Sequence, residues 1–331
     1  MTAPRYDVLG IGNAIVDILA HADDSLISRL GLAKGHMQLI DADEVARLYA
    51  AMGPAVEISG GSAANTIAGV ASFGGRGAFI GRVSDDDFGK VFRHDIRSIG
   101  VAFDSTFALT GAPTARSLIL VTPDGQRTMS TFLGAAAELG TGEIDAEPIE
   151  AAAITYLEGY LFDRPEAKAA FRKAAGIARA SGRRVALSLS DGFCVERHRA
   201  DFLDLIRNQV DIVLANRQEL EALYQVSFDE GCRRIAAEAP LAAITRSEEG
   251  SVIVSGSEIV EVPAESIGTL VDTTGAGDLY AAGFLLGQAR GLTLAACGAL
   301  GSMAAAEVIQ HLGARPEMPL SGLAKARGLG I

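Results

Sequence analysis

A glycine-rich turn between two aspartates, residues 272–278 (DTTGAGD), is the strongest candidate for chemistry in the sequence. Residues 279–291, which follow it, are rich in small and apolar side chains and are predicted to be a helix. The first N–H groups of a helix lack partners within it, so the turn offers a site for an anion. Two interpretations are open: a site for a transferring phosphoryl group in which Asp278 activates an acceptor hydroxyl, or a helix cap without chemistry.

Two other stretches carry polar groups suited to a hydroxylated ligand. Residues 60–65 (GGSAAN) put two glycines before a predicted helix, which lets the backbone approach a ligand closely. Ser62 is either the N-cap of that helix or a ligand contact, and Asn65, one turn later, faces the same space. Asn13 and Asp17 follow a short apolar strand, where a carboxylate needs partners such as sugar hydroxyls or backbone amides.

The composition and net charge of the sequence exclude several classes of protein and of binding partner. The 331 residues carry a net charge of −12 without a basic block, so nucleic acid is not expected as a partner. The sequence has no run of about 18 apolar residues and starts with a short polar segment, so neither a membrane span nor a signal peptide is expected. Three scattered cysteines favour the reducing cytoplasm, and the five histidines show no metal-ligand spacing. The net charge fits a soluble protein that handles small molecules.

Alternating predicted strands and helices position these motifs. After residue 141 the alternation is regular, which indicates a mostly parallel sheet with helices on both faces. In such sheets ligands lie at the carboxyl ends of the strands, where loops at 216–219 and 245–250 would meet the turn at 272–278. A strand at residues 266–271 is expected to lead into that turn.

A β-rich segment between residues 101 and 135 interrupts this alternation. The sequence PDGQ at 123–126 predicts a hairpin turn within it. With two earlier strands it would form a small second sheet, which is too small to bury both faces and is expected to cover a ligand or another subunit. The strands expected in this sheet are 15–21, 35–41, 106–110, 115–122 and 127–133.

Three motifs in this order resemble those of the ribokinase-like, or PfkB-type, carbohydrate and nucleoside kinases. The first is GGSAANT at 60–66, with glycines at 74 and 75, and the last is DTTGAGD at 272–278, followed by AAGF at 281–284. Between them, Asn216 and Glu219 match the family's Asn-x-x-Glu. The resemblance extends over nearly the whole chain.

The resemblance implies an α/β fold, a ribokinase-like three-layer sandwich with a central mostly parallel sheet and a small β-sheet lid. It implies a single domain over residues 1–331, with a lid formed by residues of about 13–42 and 104–135. Lids in this family either cover the site of their own chain or pair across a dimer. Both a monomer and a homodimer are therefore open.

The resemblance also implies a reaction, the transfer of the ATP γ-phosphate to a primary hydroxyl with Mg²⁺ on the phosphates. Such a transfer needs positioning and charge stabilisation more than covalent help. By position, Asp278 would be the base and Gly275, Ala276 and Gly277 the anion hole, while Asn13, Asp17, Gly61, Ser62 and Asn65 would hold the acceptor's hydroxyls. The nucleotide side would comprise Asn216, Thr245, Ser247 and Gly250, with Glu219 organising Mg²⁺ through water, and Asp272 and Thr274 as candidates for the K⁺ that the family often binds.

The adenosine kinase branch is the most similar part of the family. The residues that carry this similarity are NAIVD at 13–17, LSLSDGF at 187–193 and Arg127, which stands where that branch has an arginine. The branch implies adenosine as the acceptor, AMP and ADP as products, a role in purine salvage, and Arg127 as a substrate contact. A sugar kinase acting on a ribose- or fructose-like acceptor is the alternative. A non-catalytic nucleoside sensor fits less well, because a sensor does not need Asp278.

Two local features have consequences for the ligands. Tyr160, Leu161 and Phe162 would form either an apolar wall against a nucleobase or part of the core. The loop TRSEEG at 245–250 departs from the family's Thr-x-Gly-x-x-Gly, because Ser247 stands in place of the first glycine. We therefore expect the shape of this loop to differ.

Overall fold

The structure, a computed structural model, describes residues 3–330. Its strands form two sheets, and its helices cover both faces of the larger one. The strands are β1 Tyr6–Ile11, β2 Ile15–His21, β3 Met37–Leu39, β4 Ala55–Gly60, β5 Gly77–Ile80, β6 Ala115–Val121, β7 Arg127–Phe132, β8 Ala152–Glu158, β9 Arg184–Ser188, β10 Ile212–Asn216, β11 Leu241–Thr245, β12 Ser251–Ser255 and β13 Glu258–Val262. The α-helices are α1 Asp24–Leu30, α2 Ala42–Ala51, α3 Ser62–Ser72, α4 Asp87–Ser98, α5 Ala146–Glu150, α6 Pro165–Ala180, α7 Gly192–Gln209, α8 Arg217–Tyr224, α9 Phe228–Glu238, α10 Ala276–Ala289, α11 Leu294–Val308 and α12 Leu320–Ala326. None of the helices within residues 3–330 has the length and apolarity that a membrane span requires.

The larger sheet has eight strands in the order β13-β12-β11-β10-β9-β8-β1-β5. The strands from β5 to β11 pair in parallel, and the β11-β12-β13 edge is antiparallel. Strands that are covered on both faces are nearly continuous apolar runs, as in β1 (YDVLGI) and β10 (IVLAN). The mostly parallel sheet predicted from the alternation is confirmed.

Two apolar layers hold the helices against this sheet. On one face α3, α10 and α11 pack through residues such as Leu279, Phe284 and Met303. On the other face α6 and α7 pack through Phe171 and Phe202. The result is the three-layer sandwich expected from the sequence.

The smaller sheet has five strands in the order β3-β7-β6-β2-β4. Its β6–β7 hairpin is antiparallel, whereas β2 pairs in parallel with β6 and antiparallel with β4. The predicted second sheet is therefore present. It also contains β4, which lies outside the ranges expected for the lid.

Two of the predicted strands are wrong. Residues 106–110 make only an isolated bridge between Ser84 and Ala108, because Phe107 packs against α4, with the Arg93 guanidinium 3.5 Å from its ring centre. Residues 266–271 are irregular, since the sheet ends at β13 and the Val271 N–H donates to the Ile309 carbonyl at 2.9 Å instead. The segment that leads into the turn at 272–278 is thus held against the end of α11, at Ile309, rather than in a strand.

Short junctions connect the two sheets at the carboxyl end of β1. The chain passes from β1 to β2 through Asn13, and from β4 directly into α3 through Gly61. Both predicted acceptor motifs consequently lie where the smaller sheet meets the larger one.

Candidate active site

Asp278 lies in the first turn of α10, opposite the N-terminus of α3. The Ser62 hydroxyl donates to Asp278 Oδ1 at 2.6 Å, and Asn65 Nδ2 donates to Oδ2 at 3.1 Å. Burial raises the pKa of the Asp278 carboxyl, and these two hydrogen bonds oppose the rise. The structure therefore brings the two glycine-rich motifs together around a carboxylate that can accept a proton from a hydroxyl.

The N-terminus of α10 is open. Gly275 is its N-cap with a φ of +81°, and within the described residues no side chain caps the helix. A Cβ on Gly275 would also crowd Ala314, so this position requires glycine. The Ala276 N–H donates to the Thr273 carbonyl at 3.2 Å, and helix geometry leaves the N–H groups of Gly277 and Asp278 without intrahelical partners. These two groups are available to an anion.

Two buried amide oxygens beside this carboxylate have no donor. Asn13 Nδ2 donates to Glu158 Oε1 at 2.6 Å, but within residues 3–330 nothing donates to Asn13 Oδ1. Likewise, no group within these residues donates a hydrogen bond to Asn65 Oδ1. The Gly61 backbone, with a φ of +99°, lies so close to the Asn13 carbonyl that a Cβ on Gly61 would overlap this carbonyl. Because buried polar atoms are nearly always hydrogen-bonded to protein or to water, both amide oxygens are expected to accept from a ligand or from a water molecule.

Asp17 points from β2 towards the same space. No donor among the described residues reaches its carboxylate, which occupies room left by Gly60, where a Cβ would overlap it. Burial raises the pKa of Asp17 to about 6, and the nearby charge of Asp278 adds to the rise, while Arg315 and Arg127 oppose it. A desolvated carboxylate of this kind is a strong acceptor for ligand hydroxyls.

Glu158 was not among the predicted site residues. It ends β8 and accepts hydrogen bonds from Asn13 Nδ2 at 2.6 Å and from the Ala63 N–H at 2.8 Å. Burial raises its pKa to about 7. It fixes Asn13 and the start of α3 relative to each other. The signal in the sequence was a carboxylate at the carboxyl end of an otherwise apolar strand.

Arg315 was also missed. Its guanidinium donates to the Ser59 carbonyl at 2.6 Å and to the Ala64 carbonyl at 3.3 Å, on either side of the β4–α3 junction. Burial lowers its pKa to about 10, and its charge acts on both Asp17 and Asp278. Arg315 therefore joins β4 to α3, and within residues 3–330 it is the cation whose charge acts on both Asp17 and Asp278.

Asn216 and Glu219 form a capping box at the start of α8. Asn216 Nδ2 donates to Glu219 Oε1 at 2.6 Å, and the Glu219 N–H donates back to Asn216 Oδ1 at 2.9 Å. Burial raises the pKa of Glu219 to about 7, the charge of Asp191 adds to the rise, and no basic side chain of the described chain pairs with it. This carboxylate suits Mg²⁺, which is commonly bound through water and one or two carboxylates together with phosphates. Residues 3–330 contain no group of three or more Asp, Glu, His or Cys residues that would hold a metal alone.

The loop that contains Thr245, Ser247 and Gly250 follows β11, next to the end of β10 that carries Asn216. Ser247 has a φ of +52° and Gly250 a φ of +81°. Ser247 thus adopts the left-handed backbone that glycine favours, although it carries a Cβ.

We expect Ser247→Gly to raise the free energy of unfolding by about 1 kcal/mol, because left-handed backbone is strained for a residue with a Cβ. The measurement is the melting temperature of the purified variant. Ser255→Gly, at a position in β12 without positive φ, is the matched control and is expected to melt lower than the wild type. A lower melting temperature for Ser247→Gly would mean that its hydroxyl stabilises the loop.

Asp272 is already saturated with donors. Its Oδ1 accepts from the Thr274 N–H at 3.0 Å and the Thr274 hydroxyl at 2.7 Å, and its Oδ2 accepts from Arg127 Nη1 at 2.5 Å and the Gly313 N–H at 3.1 Å. A K⁺ ion on this carboxylate would have to displace Arg127. Asp272 and Thr274 therefore do not fit the K⁺ site that the resemblance implies.

Of the predicted apolar wall of residues 160–162, two side chains lie in the core and one is exposed. Leu161 and Phe162 are buried, and the Phe162 ring stacks on Phe202 with centroids 4.2 Å apart. Tyr160 is 40% exposed, and the charges of Asp278 and Glu219 both act on its phenol. Only Tyr160 of the three is exposed and could contact a ligand.

Comparison with known proteins covers nearly the whole chain. The pattern of the pfkB family carbohydrate kinases matches residues 38–320. A solved structure of adenosine kinase from Sinorhizobium meliloti is 53% identical, covers 98% of this chain and 99% of its own, and superposes with a TM-score of 0.90. A probable sugar kinase from Rhizobium etli CFN 42 is 50% identical over 99% of this chain and 100% of its own, with a TM-score of 0.91. Adenosine kinase of Saccharomyces cerevisiae is 26% identical over 95% of this chain and 96% of its own length.

Proposed function

The chain belongs to the pfkB family of carbohydrate kinases, and from this premise we propose that it phosphorylates the 5′ hydroxyl of a nucleoside. Adenosine is the proposed acceptor and ATP the donor, with AMP and ADP as products. The similarity to an adenosine kinase over 98% of the chain supports this choice of acceptor.

One observation carries the proposal. The Asp278 carboxylate is held by Ser62 and Asn65 in front of the open N-terminus of α10, and two buried amide oxygens beside it lack donors. A base, an anion hole and unmatched acceptors for hydroxyl groups are the parts that transfer of phosphate to an alcohol needs.

In the proposed reaction the acceptor oxygen forms a bond to the γ-phosphorus, and its proton passes to Asp278. The bond from the γ-phosphorus to the bridging oxygen of the β-phosphate breaks, which releases ADP. The N–H groups of Gly277 and Asp278 take the charge that develops on the transferred group. Asn13, Asp17 and Asn65 hold the other hydroxyls of the acceptor, so that one oxygen is aligned with the phosphorus.

The nucleotide occupies the edge formed by the loops after β10 and β11 in this proposal. Thr245, Ser247 and Gly250 would contact it, and Glu219 and Asn216 would hold Mg²⁺ through water. When bound, Mg²⁺ neutralises charge on the phosphate oxygens. The buried Glu219 carboxylate, which lacks a basic partner in the described chain, supports this placement.

A sugar kinase is the second candidate, because Asn13, Asp17 and Asn65 would bind the hydroxyls of a free sugar as well as those of a ribose ring. The probable sugar kinase at 50% identity supports it. Exposed aromatic rings favour a nucleoside: Tyr160 is 40% and Phe193 is 76% exposed in the described structure. Stacking of a nucleobase on an aromatic side chain contributes about 1–3 kcal/mol, so such rings would add to the binding of a nucleoside.

The test is ADP release with MgATP and a panel of adenosine, guanosine, inosine, ribose and fructose. We expect kcat/KM for adenosine to exceed that for either sugar by about 10²-fold or more, which corresponds to about 3 kcal/mol of base contacts. Melting temperatures with each compound measure binding without turnover. Phosphorylation of ribose or fructose that is faster than that of adenosine would refute the nucleoside kinase and support the sugar kinase.

A further inference from the structure

An ion pair connects the smaller sheet to the proposed anion hole. Arg127, the first residue of β7, donates through Nη1 to Asp272 Oδ2 at 2.5 Å. The side chains are 8% and 7% exposed, respectively. A pair this enclosed is costly to break by removing one partner, because the other charge is then buried alone.

The same carboxylate orders the turn before α10. Asp272 Oδ1 accepts hydrogen bonds from both the N–H and the hydroxyl of Thr274, and its Oδ2 also accepts one from the Gly313 N–H. Gly313 and the adjacent Ala314, which packs against Gly275, belong to the segment after α11. Asp272 is therefore the point at which three chain segments that surround the anion hole are joined.

A buried carboxylate with this role needs a positive charge beside it. The resemblance of the sequence implies that K⁺ supplies such a charge, but Arg127 already occupies Asp272. We propose that Arg127 takes the place of a monovalent cation at Asp272, so that β7 rather than an ion from solution supplies the charge that orders residues 272–278.

Two expected properties distinguish the Arg127–Asp272 pair from a site that binds a monovalent cation from solution. Order in the turn depends on the position of the smaller sheet, because the cation is carried by one of its strands. The protein itself gains nothing from K⁺ as long as Arg127 is in place. The inference rests on the proposed function only where activity is measured, since the ordering of the turn is a property of the folded protein.

The experiment compares melting temperatures in about 150 mM KCl, NaCl and choline chloride at equal ionic strength. The wild type is expected to melt at the same temperature in all three. Arg127→Ala is expected to melt about 2–4 °C higher in KCl than in choline chloride, because the ion fills the space beside Asp272. Arg127→Ala/Asp272→Asn is expected to lose this response, because the carboxylate that would bind the ion is gone.

Arg116→Ala is the matched control, since it removes an arginine from the adjacent strand β6 that makes no contact with Asp272. It is expected to show no K⁺ response. If Arg127→Ala does not fold, Arg127→Gln takes its place, because the amide removes the charge and retains a hydrogen-bond donor.

Saturable stabilisation of the wild type by K⁺ but not by choline would overturn the proposal, and so would an Arg127 variant without any K⁺ response. The second readout is ADP release with adenosine in the same salts, for which the wild type is expected to show equal rates. Loss of turnover in every salt, with the melting pattern intact, would refute the proposed function and leave this inference standing.

Discussion

Replacing Asp278 by asparagine is expected to lower kcat by about 10³-fold or more while the acceptor still binds. Proton abstraction by a positioned carboxylate contributes about 10²–10⁴-fold to such reactions, and an amide cannot accept the proton. The asparagine keeps its size and can still accept from Ser62, and its NH2 group can donate to Asn65 once the Asn65 amide turns its free oxygen towards it. Turnover is measured as ADP release, and binding as the rise in melting temperature with adenosine.

Asp87→Asn is the matched control for this variant. Asp87 also lies in the first turn of a helix, α4, but its side chain is fully exposed. It is expected to leave turnover unchanged. Wild-type turnover in Asp278→Asn would refute the role of Asp278 as base. Binding of adenosine by a wild type that turns over no acceptor would favour the sensor over the kinase.

The second large effect is expected from Asp17→Asn, which should lower kcat/KM for the acceptor by about 10²–10³-fold. A hydrogen bond to a charged group contributes about 1.5–3 kcal/mol, and the Asp17 carboxylate is free to accept two hydroxyl donors. The KM for ATP is expected to stay within about twofold, because Asp17 lies on the acceptor side. An unchanged kcat/KM for the acceptor would exclude Asp17 from acceptor binding.

The same substitution is expected to stabilise the protein without ligand. Burial raises the pKa of Asp17 from 3.8 to about 6. Above pH 6 the carboxylate is ionised in both the folded and unfolded states, and the folded state bears the full cost of burying that charge. This cost corresponds to about 3 kcal/mol, and it vanishes as the pH falls through 6 towards 3.8.

Asp17→Asn removes this cost, so it is expected to melt above the wild type at pH 8, and the gap should narrow progressively down to pH 4. Melting temperatures at several pH values measure it. A variant less stable than the wild type at pH 8 would mean that Asp17 is held by favourable contacts in the free protein.

Local sequence patterns predict the parts of the site that depend on nearby residues. Glycines before a helix predict the open start of α10, and strand–helix alternation places it at the carboxyl edge of the sheet. The contact of Ser62 and Asn65 with Asp278 joins residues that are distant in the sequence, and it is seen only in the structure. The changed loop shape expected from Ser247 stays a prediction, and the structure adds that Ser247 has a positive φ.

The residues that the sequence did not identify act through distant partners. Glu158 contacts Asn13, and Arg315 contacts Ala64, across 145 and 251 residues respectively. The periodicity of side chains along a helix or strand gives information on nearby residues, and it does not predict such distant pairs. The wrong strand at 266–271 has a related cause: β propensity measures fit to a neighbouring strand, and beyond β13 there is none.

The position of Arg315 also has a consequence for biosynthesis. Asp17 and the β4–α3 junction are made early, whereas Arg315, which clamps that junction, is made about 15–60 s later at ordinary rates of translation. Until then Asp17 lacks the enclosed cation whose charge acts on it in the folded protein. The junction that carries Ser62 and Asn65 can therefore take its clamped form only after nearly the whole chain has been made.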